Sequence, residues 1–533
     1  MVYGIVVYGI VVYGIVIDGF LLMHFTPSSQ TLDLSILDGT FAGQVLQRLQ
    51  SLGVPLVLVG GSVRDLLLGR PLRDLDLVVP SGALALARAA ANAMQGAFVA
   101  LDEARDTGRA LLTAPDGQTL VVDVAAWRGP TLAADLAARD FTINALAVQV
   151  TGAAGQIVDV TGGLADLEAR LLRVPSPQAL PADPVRCLRA VRLLAELSPW
   201  GLRLEQETGR QVRRHAPLLA ACANERVRDE LVRILAAPTP SRWLNILSQL
   251  GLLVETLPEA AALRGVQQSA PHFWDVFDHT NRTLGYAAWL AGWIAGREAP
   301  ADALDVAVCQ MLAPHRPALA RHLAEAVGVA LGDRRGALRW AALCHDWGKP
   351  ATRTVAARPD GGPERTQFLG HEDVSVSLTR EALRRLRFSE AEVRWVTTIV
   401  AGHMRPHHLA AAGPPSRRAI HRYFRDLDAA GVDTALLSLA DLRAMAGPGL
   451  QLADWQRQID LVVALIDAYF TRPLETIRPT PLVDGRALMA HLALRPGPQI
   501  GQLLAAVLEA QAAGEVTSRE EALAHARQLV AAK

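Results

Sequence analysis

The sequence predicts an α+β domain near the N-terminal end of the chain, followed by domains built only of helices. Between residues 54 and 79, two short apolar runs flank a helical segment that begins after a glycine pair, which is typical of a mixed α/β structure. After Pro258 the pattern is almost wholly helical, with few β-branched runs. The 533 residues are enough for about three domains.

Composition restricts the class of protein. Half of the residues are hydrophobic, a fifth are charged and the formal net charge is zero, which excludes a disordered, collagen-like or disulfide-stapled chain. The four cysteines lie far apart without C-x-x-C spacing, so we expect reduced thiols, a cytoplasmic location and no zinc knuckle. Arginine supplies nearly all of the basic residues, and Lys349 is the only lysine before the C-terminal residue.

Residues 1–23 are expected to lie outside the native fold. The pentapeptide Val-Tyr-Gly-Ile-Val occurs three times within residues 2–16, which resembles translated tandem DNA repeats and makes Met23 the expected start of the protein. A membrane span is the alternative for this apolar segment. It is disfavoured because no basic residue flanks the segment and Asp18 lies inside it. We therefore expect no membrane association.

The first candidate site begins at a glycine pair. Residues 54–59 predict a short buried strand, which Gly60 and Gly61 interrupt. Ser62 is the expected N-cap of a helix over residues 63–68. A glycine pair before a helix N-terminus lets the backbone approach a phosphate and offers it free N–H groups.

Two aspartates follow in the next predicted strand, over residues 72–79. Asp74 and Asp76 are two residues apart, so both carboxylates lie on the same face of a strand. Two carboxylates on one face repel each other unless a cation lies between them. This arrangement predicts a divalent metal and phosphoryl-transfer chemistry.

The string from Gly60 to Gly69, followed by Asp74-Leu75-Asp76, closely resembles the signature of class II tRNA nucleotidyltransferases and bacterial poly(A) polymerases, within the DNA polymerase beta superfamily. The resemblance implies a nucleotidyltransferase head of five or so strands, which transfers nucleotides from CTP or ATP to tRNA or other RNA 3′ ends. It implies Mg²⁺ on Asp74 and Asp76, nucleotide contacts from Gly60, Gly61 and Arg64, and no DNA partner.

Further matches follow in the family's order. Asp123, in a predicted strand at residues 121–124, could be the third catalytic carboxylate, although a surface acid is the alternative. Arg139, Asp140 and Asn144 match the family's triphosphate- and sugar-binding motif, with Ala138 where a second arginine is usual. The motif that reads the nucleotide base is matched by a third group of residues, namely Asp183, Arg186, Arg189 and Arg192. Residues 225–231 match the helix that supports the neck.

The second candidate site follows the string His345-Asp346-Trp347-Gly348-Lys349. Adjacent histidine and aspartate can both reach one metal ion, as a softer and a harder ligand. With further histidines on both sides, the pattern resembles the HD phosphohydrolase superfamily. The resemblance nominates His279, His345, Asp346 and Asp441 as ligands of one metal and His371 and His403 as ligands of a second, either a transition metal or Mg²⁺. Lys349 could contact phosphate, and His407 and His408 are expected to face solvent or RNA.

The distribution of charge suggests where RNA could bind. Residues 380–425 contain ten arginines and three acids, a net charge of 10 − 3 = +7. Arginines clustered in this way can follow an RNA backbone. Arginines spread over helix surfaces are the alternative interpretation.

We expect a doubtful repeat segment over residues 1–23, the head over 24–160, a helical neck and body over 161–255, an HD domain over 256–445 and a helical tail over 446–533. CCA addition to tRNA is the favoured function. One alternative is a poly(A) polymerase or an enzyme that adds only A or only CC. A second alternative is a protein that is mainly an HD phosphohydrolase with an RNA-binding head.

Overall fold

The computed structural model describes residues 2–7, 10–17, 20–23, 31–72, 74–150, 152, 154–357, 364–445 and 447–531. The chain divides into two compact units. The N-terminal unit is Met1–Leu218 and the C-terminal unit is Leu219–Lys533. Strands are concentrated in the first unit and helices in the second, so the predicted order of an α+β domain followed by helical domains is confirmed.

The repeat segment forms a separate antiparallel sheet of three strands, β1 (Val2–Val7), β2 (Ile10–Ile17) and β3 (Phe20–Met23). The apolar residues of the repeat are β-branched or aromatic, which suits a strand. The expectation that residues 1–23 are not native stays a prediction. Met1, Asp18 and Gly19 lie outside the described residues.

An eight-stranded sheet forms the centre of the N-terminal unit, and the prediction of about five strands was therefore too low. In chain order its strands are β4 (Thr31–Asp33), β5 (Val57–Val59), β6 (Asp74–Val79), β7 (Ala97–Asp102), β8 (Thr107–Thr113), β9 (Thr119–Ala126), β10 (Leu146–Val150) and β11 (Ala154–Asp159). Their order across the sheet is β4-β11-β10-β5-β6-β9-β8-β7. Only the pair β6–β9 is parallel among these strands.

Helices cover the sheet and continue beyond it, and two short strands, β12 (Leu171–Leu172) and β13 (Arg203–Leu204), pair in parallel. The helices of this unit are α1 (Phe41–Gln50), α2 (Gly61–Leu67), α3 (Ala83–Ala93), α4 (Leu132–Ala137), α5 (Gly163–Glu168), α6 (Ala179–Ala182), α7 (Arg186–Glu196) and α8 (Gln206–His215).

The alternation of side chains along β6 separates the core from the site. Leu75, Leu77 and Val79 belong to the main core cluster, which includes residues of α1 and α3. Val78 belongs to a smaller cluster on the opposite face, with Leu136 of α4. Because side chains two apart share a face, the carboxylates of β6 lie on the face that carries the smaller cluster.

The C-terminal unit is built mainly of helices. In chain order they are α9 (Asn224–Ala236), α10 (Pro240–Gln249), α11 (Leu252–Thr256), α12 (Pro258–Ala261), α13 (Val276–Ile294), α14 (Ala303–Leu312), α15 (Arg316–Ala324), α16 (Arg334–Cys344), α17 (Lys349–Thr352), α18 (His371–Arg385), α19 (Glu390–Gly402), α20 (Arg405–Ala411), α21 (Arg417–Leu427), α22 (Ala430–Met445), α23 (Leu452–Thr471), α24 (Gly485–Leu492), α25 (Pro498–Ala513) and α26 (Arg519–Ala531).

Two strand pairs interrupt this helical array, β14 (Ala326–Gly328) with β15 (Gly332–Asp333) and β16 (Thr354–Ala356) with β17 (Arg365–Gln367). Helix α13 packs against α16 and α22, and α16 also packs against α19. The last three helices have an apolar cluster of their own, centred on Leu488, Leu503 and Val507. Within the described residues, no helix is both long and apolar enough to cross a membrane.

Candidate active site and metal centre

The glycine turn of the N-terminal unit joins β5 to α2. Gly60 has φ +69° and ψ −134°, a backbone conformation that residues with a Cβ avoid. A Cβ at Gly60 would lie 3.0 Å from Arg139 NH1 and 3.3 Å from Asp76 Oδ2. The turn therefore needs glycine for its conformation, and it lies directly against two of the predicted site residues.

Ser62 does not cap α2, contrary to expectation. The helix begins at Gly61, with Gly60 at the N-cap position and no side-chain cap. Instead the Ser62 hydroxyl donates to the carbonyl of Asp74 at 3.1 Å and accepts from the N–H of Asp76 at 2.8 Å. Because the side chain is buried, these two hydrogen bonds hold the start of β6 against the turn.

We expect Gly60→Ala to destabilise the N-terminal unit by about 2–3 kcal/mol, because it combines backbone strain with crowding against Arg139 and Asp76. Gly69→Ala is the matched control, since Gly69 has φ +66° but a Cβ there would meet nothing within 4 Å; we expect it to cost about 1 kcal/mol. Urea unfolding followed by circular dichroism measures both changes. Equal losses would show that contact with the site contributes nothing.

Three carboxylates meet at β6 and β9. These strands pair in parallel with Asp76 opposite Asp123 and Asp74 opposite Val121. Asp123 has an ion-pair partner, since Arg109 of β8 donates to both of its oxygens, at 2.7 and 2.8 Å. It is therefore not an isolated surface acid. The sheet thus brings the third predicted carboxylate beside Asp76 and adds a guanidinium that the sequence did not predict.

Burial and the neighbouring Asp123 carboxylate raise the pKa of Asp76 to about 6. Asp74 adds to this rise, whereas Arg139 opposes it. A carboxyl group with a raised pKa beside two other carboxylates is a place where a divalent cation would relieve repulsion. The oxygen donor set fits Mg²⁺, which prefers carboxylate ligands.

The raised pKa predicts that Asp76→Asn stabilises the metal-free protein at alkaline pH. Below about pH 4 the carboxyl is protonated in both the folded and the unfolded states. As the pH rises to about 6, the unfolded chain loses this proton first, so wild-type stability falls. We expect the variant to gain up to about 3 kcal/mol at pH 8 and almost nothing at pH 4.

Urea unfolding in a chelator at both pH values measures this gain. Asp116→Asn is the control, because Asp116 is exposed in a turn of the same unit and should change stability little at either pH. A gain at pH 8 that persists at pH 4 would contradict ionisation as its cause.

Two arginines border the glycine turn. Arg139 is held by Asp135 through its Nε and NH2 atoms, at 3.2 and 3.0 Å. Arg64 is buried, binds Asp65 beside it and donates from NH1 to Asn144 Oδ1 at 2.7 Å. Both arginines, which were predicted to bind the nucleotide, are thus fixed in orientation beside the turn.

Two of the four predicted base-reading residues, Arg186 and Arg189, contact the loop that carries Arg139. Arg186 donates to the carbonyls of Ala138, Arg139 and Ala179 at 3.0–3.1 Å. Its Nε lies 3.9 Å from Asp183 Oδ2 and has no hydrogen-bond partner among the described residues. Arg186 therefore positions the loop that carries Arg139, and its buried Nε is left without a hydrogen bond among the described residues.

Asp140 is an internal anchor of this loop. It accepts from Asn144 Nδ2 at 3.2 Å and from Arg189 NH1 at 3.2 Å. Burial alone would raise the pKa of Asp140, but Arg189 and the hydrogen bond from Asn144 lower it below its usual range. Arg192 instead binds Glu196 at 2.9 Å, on its own helix.

In the C-terminal unit, all six predicted metal ligands meet. The nearest ligand atoms lie within 4.8 Å of one another in each of two groups, one of His279, His345 and Asp441 and the other of Asp346, His371 and His403. All six side chains are buried. They come from α13, α18, α22 and the turns after α16 and α19, so the fold collects them from separate stretches of chain.

Backbone carbonyls orient three of the histidines. Nδ1 of His345, His371 and His403 lies 2.7–2.9 Å from the carbonyls of Ala342, Phe368 and Val400, respectively. An Nδ1–H that donates to a carbonyl leaves the lone pair on Nε2 for a metal. Burial also lowers the pKa of His403 to about 3, which keeps this imidazole neutral.

Asp346 faces both groups of ligands. Its Oδ2 lies 3.4 Å from His279 Nε2 and 3.2 Å from His345 Nε2, while its Oδ1 lies 3.5 Å from His371 Nε2. Lys349 Nζ is 2.7 Å from the same Oδ2 and donates to Gln268 Oε1 at 2.8 Å. Burial opposes ionisation of Asp346, but His345 and Lys349 hold its pKa well below the usual range.

His407 does not face solvent or RNA, contrary to expectation. Its Nε2 lies 2.9 Å from Asp441 Oδ2, while the other oxygen of Asp441 lies 3.0 Å from His279 Nε2. His407 is therefore a partner that orients a predicted ligand, whereas His408 is exposed as expected. The pairing depends on the packing of α20 near α22, for which the sequence has no local signal.

The arginine-rich segment 380–425 is not an open positive track. Most of the acids that pair with these arginines lie outside the segment. Eight of its ten arginines form ion pairs, namely Arg384, Arg385, Arg387, Arg405, Arg417, Arg418, Arg422 and Arg425. The local sum of +7 therefore overstates the charge available to RNA, because Glu259, Glu475 and Glu509 neutralise part of it.

Comparison with protein families gives three matches along the chain. Residues 56–173 match the poly A polymerase head domain. Residues 201–263 match the probable RNA- and SrmB-binding site of polymerase A. Residues 318–444 match the HD domain.

Curated relatives cover most of the chain. An A-adding tRNA nucleotidyltransferase of Deinococcus radiodurans is 36% identical over 88% of this chain and 94% of its own length. A CC-adding tRNA nucleotidyltransferase of Thermus thermophilus is 33% identical over 87% and 92%, respectively. A multifunctional CCA protein of Xanthomonas campestris is 32% identical over 66% and 76%.

A solved structure supports the fold. The ligand-free form of a CCA-adding enzyme superposes with a TM-score of 0.59 at 19% identity, covering 94% of this chain and 98% of the other. At this identity the likeness concerns the fold, an N-terminal head with a mixed sheet followed by a helical body.

Proposed function

The chain belongs to the tRNA nucleotidyltransferase family, and on this premise we propose that it builds the CCA sequence at tRNA 3′ ends from CTP and ATP. The predicted family and enzyme class are confirmed. The observation that carries the proposal is the meeting of Asp74, Asp76 and Asp123 beside the Gly60–Gly61 turn and Arg139.

Asp74 and Asp76 would hold Mg²⁺, with Asp123 as a third carboxylate beside them. When bound, Mg²⁺ supplies activation of the RNA 3′-hydroxyl and neutralisation of the triphosphate. The protein's part is to hold the carboxylates on one face of β6 and to keep Arg109 on Asp123. Arg109 limits the negative charge that the site holds before substrate arrives.

The nucleotide would lie along the glycine turn. Backbone N–H groups at the start of α2 and the guanidinium of Arg139 suit a triphosphate. Asp183 only accepts hydrogen bonds and Arg186 only donates them, so together they can complement the edge of cytosine or adenine. The Nε of Arg186, which lacks a partner among the described residues, is the donor that this assignment uses.

Addition of only part of CCA is the second candidate function. Two relatives whose matches cover 87–88% of this chain are an A-adding and a CC-adding enzyme, and this supports partial addition. The match to the multifunctional CCA protein covers only 66% of this chain. A general poly(A) polymerase is not favoured, because these relatives are tRNA nucleotidyltransferases by name. A protein that is mainly an HD phosphohydrolase is not favoured either, because the carboxylate pair of the head is intact.

Incubation of the purified protein with two tRNA substrates, one lacking CCA and one ending in CC, separates these functions. With CTP and ATP together, the proposal expects three residues added to the first substrate and one to the second. An enzyme restricted to A would extend only the second, and one restricted to CC would stop after two residues. ATP tailing of any RNA would contradict both candidates.

For the C-terminal unit we propose a metal-dependent phosphohydrolase acting on phosphomonoesters or cyclic phosphates. Four imidazoles and two carboxylates converge there, a donor set that suits a transition metal better than Mg²⁺. Lys349, held on Asp346, is placed to contact a substrate phosphate.

A tRNA-processing role and four free cysteines suit the cytoplasm, where thiols are kept reduced.

A further inference from the structure

A cavity of about 780 Å³ lies in the C-terminal unit, outside both sites described above. Helix α13 forms its longest wall, and residues of α10, the C-terminal end of α22, Gly447 after it and Trp274 just before α13 complete it. The side chains used below are Trp274, Asp278, Asn281, Arg282, Tyr286 and Arg443. The volume lies within the range of pockets that bind small organic molecules.

Aromatic rings line this cavity. Tyr286 and Trp289 lie with ring centroids 4.8 Å apart, and the guanidinium of Arg282 lies 3.6 Å above the ring of Trp274. Both arrangements present flat surfaces on which a planar heteroaromatic group can stack. The wall therefore favours a ligand that contains such a ring.

Three polar atoms of the wall have no hydrogen-bond partner among the described residues, namely Trp274 Nε1, Asn281 Oδ1 and Tyr286 Oη. Asn281 is 6% exposed, so its amide oxygen lies where a missing partner costs free energy. Trp274 Nε1 can only donate, Asn281 Oδ1 can only accept, and the Tyr286 hydroxyl can do either. A nucleobase edge, which also combines donors and acceptors, could satisfy them after small side-chain rotations.

The charges of the cavity favour one phosphate group. Arg282 forms no ion pair with any residue that the structure describes, so its guanidinium is available to an anion. Arg443 is already bound to Asp302. Asp278 adds a carboxylate that would repel further negative charge but could accept from a ribose hydroxyl. One available cation suits a monophosphate better than a triphosphate.

We propose that this cavity binds a nucleoside monophosphate, either as a free nucleotide or as the terminal nucleotide of an RNA chain. The site is separate from the triphosphate site of the head, because all of its lining residues lie within the C-terminal unit. Helices α13 and α22 line it and also carry His279 and Asp441. A ligand in the cavity would thus contact two helices that each carry one of the six predicted metal ligands.

Equilibrium dialysis of the full-length protein with radiolabelled AMP, in the presence of a chelator, tests the proposal. We expect saturable binding that Arg282→Ala weakens at least tenfold and Tyr286→Phe weakens about threefold. Arg264→Ala is the matched control, because Arg264 also stacks on a ring, that of Phe277 at 4.0 Å, but lies outside the cavity.

Competition identifies the source of the nucleotide. Displacement of AMP by the trinucleotide CpCpA at lower concentration than by unlabelled AMP would support an RNA end as the ligand, and the reverse order would support a free nucleotide. Displacement by inorganic phosphate at the same concentration as AMP would overturn the role of the base. The proposal also fails if AMP does not bind, or if Arg282→Ala and Arg264→Ala bind it equally. Thermal melting of each variant establishes that it is folded.

Discussion

Replacing Asp76 by asparagine should reduce nucleotide incorporation into tRNA lacking its CCA end by at least about 1,000-fold, a loss of about 4 kcal/mol in transition-state stabilisation. The substitution keeps the shape of the side chain but removes a charge on the face of β6 where Asp74 and Asp123 also lie. An amide oxygen binds a divalent cation much less strongly than a carboxylate does. The measurement is the rate of label transfer from CTP or ATP at saturating Mg²⁺.

The expected gain in stability makes this result easy to interpret. Since Asp76→Asn should unfold at higher urea concentration than wild type in a chelator at pH 8, lost activity could not be ascribed to unfolding. Asp116→Asn, in an exposed turn of the same unit, should keep full activity. More than a tenth of wild-type activity in Asp76→Asn would refute the role given to this carboxylate.

Replacing Asp346 by asparagine should abolish metal-dependent release of phosphate from p-nitrophenyl phosphate, with a loss of at least about 1,000-fold. Two of the six predicted ligands are carboxylates, Asp346 and Asp441. Among the described residues, only Asp346 places its oxygens near histidines of both groups. Its neutralisation should therefore disturb both groups at once. The same variant should add nucleotides to tRNA at the wild-type rate, because the head is a separate unit.

Metal content offers a readout that does not depend on the substrate chosen. Mass spectrometry of the purified protein should find less bound transition metal in Asp346→Asn than in wild type. His407→Ala should weaken metal binding by about 10–100-fold through its effect on Asp441, whereas His408→Ala, at the exposed neighbouring position, should not. Equal metal content in all four proteins would refute the proposed centre.

In the head, local sequence patterns predicted part of the candidate site but not the contacts between strands. The spacing of Asp74 and Asp76 and the glycine pair before them predicted a strand, a turn and a shared face, all of which depend on neighbouring residues. The role of Ser62 was missed, because its hydroxyl bonds to a neighbouring strand instead of its own helix. Arg109 was also missed, since its contact with Asp123 depends on the register of β8 against β9.

In the candidate metal centre, too, the local string was predictable and the contacts between distant residues were not. The string from His345 to Lys349 and the order of the other histidines and aspartates resemble the HD superfamily, and this resemblance nominated all six residues. The bridging position of Asp346 and the roles of His407 and Gln268 depend on contacts between helices that are far apart in the chain. For the arginine cluster the sequence left an RNA-binding track and helix-surface arginines as alternatives, and the ion pairs favour the second. A local charge sum could not separate them, because it contains no information on acids that pack against the segment from elsewhere.

Short strings of residues with fixed spacing were enough to indicate the family and the order of an α+β head and helical domains, and the resemblance to that family then implied most of the candidate site residues. Tertiary structure decided which side chains restrain these residues, how much surface charge is neutralised, and that a cavity with aromatic walls lies beside α13. These properties arise from pairs of residues that only folding brings together, so no local spacing records them.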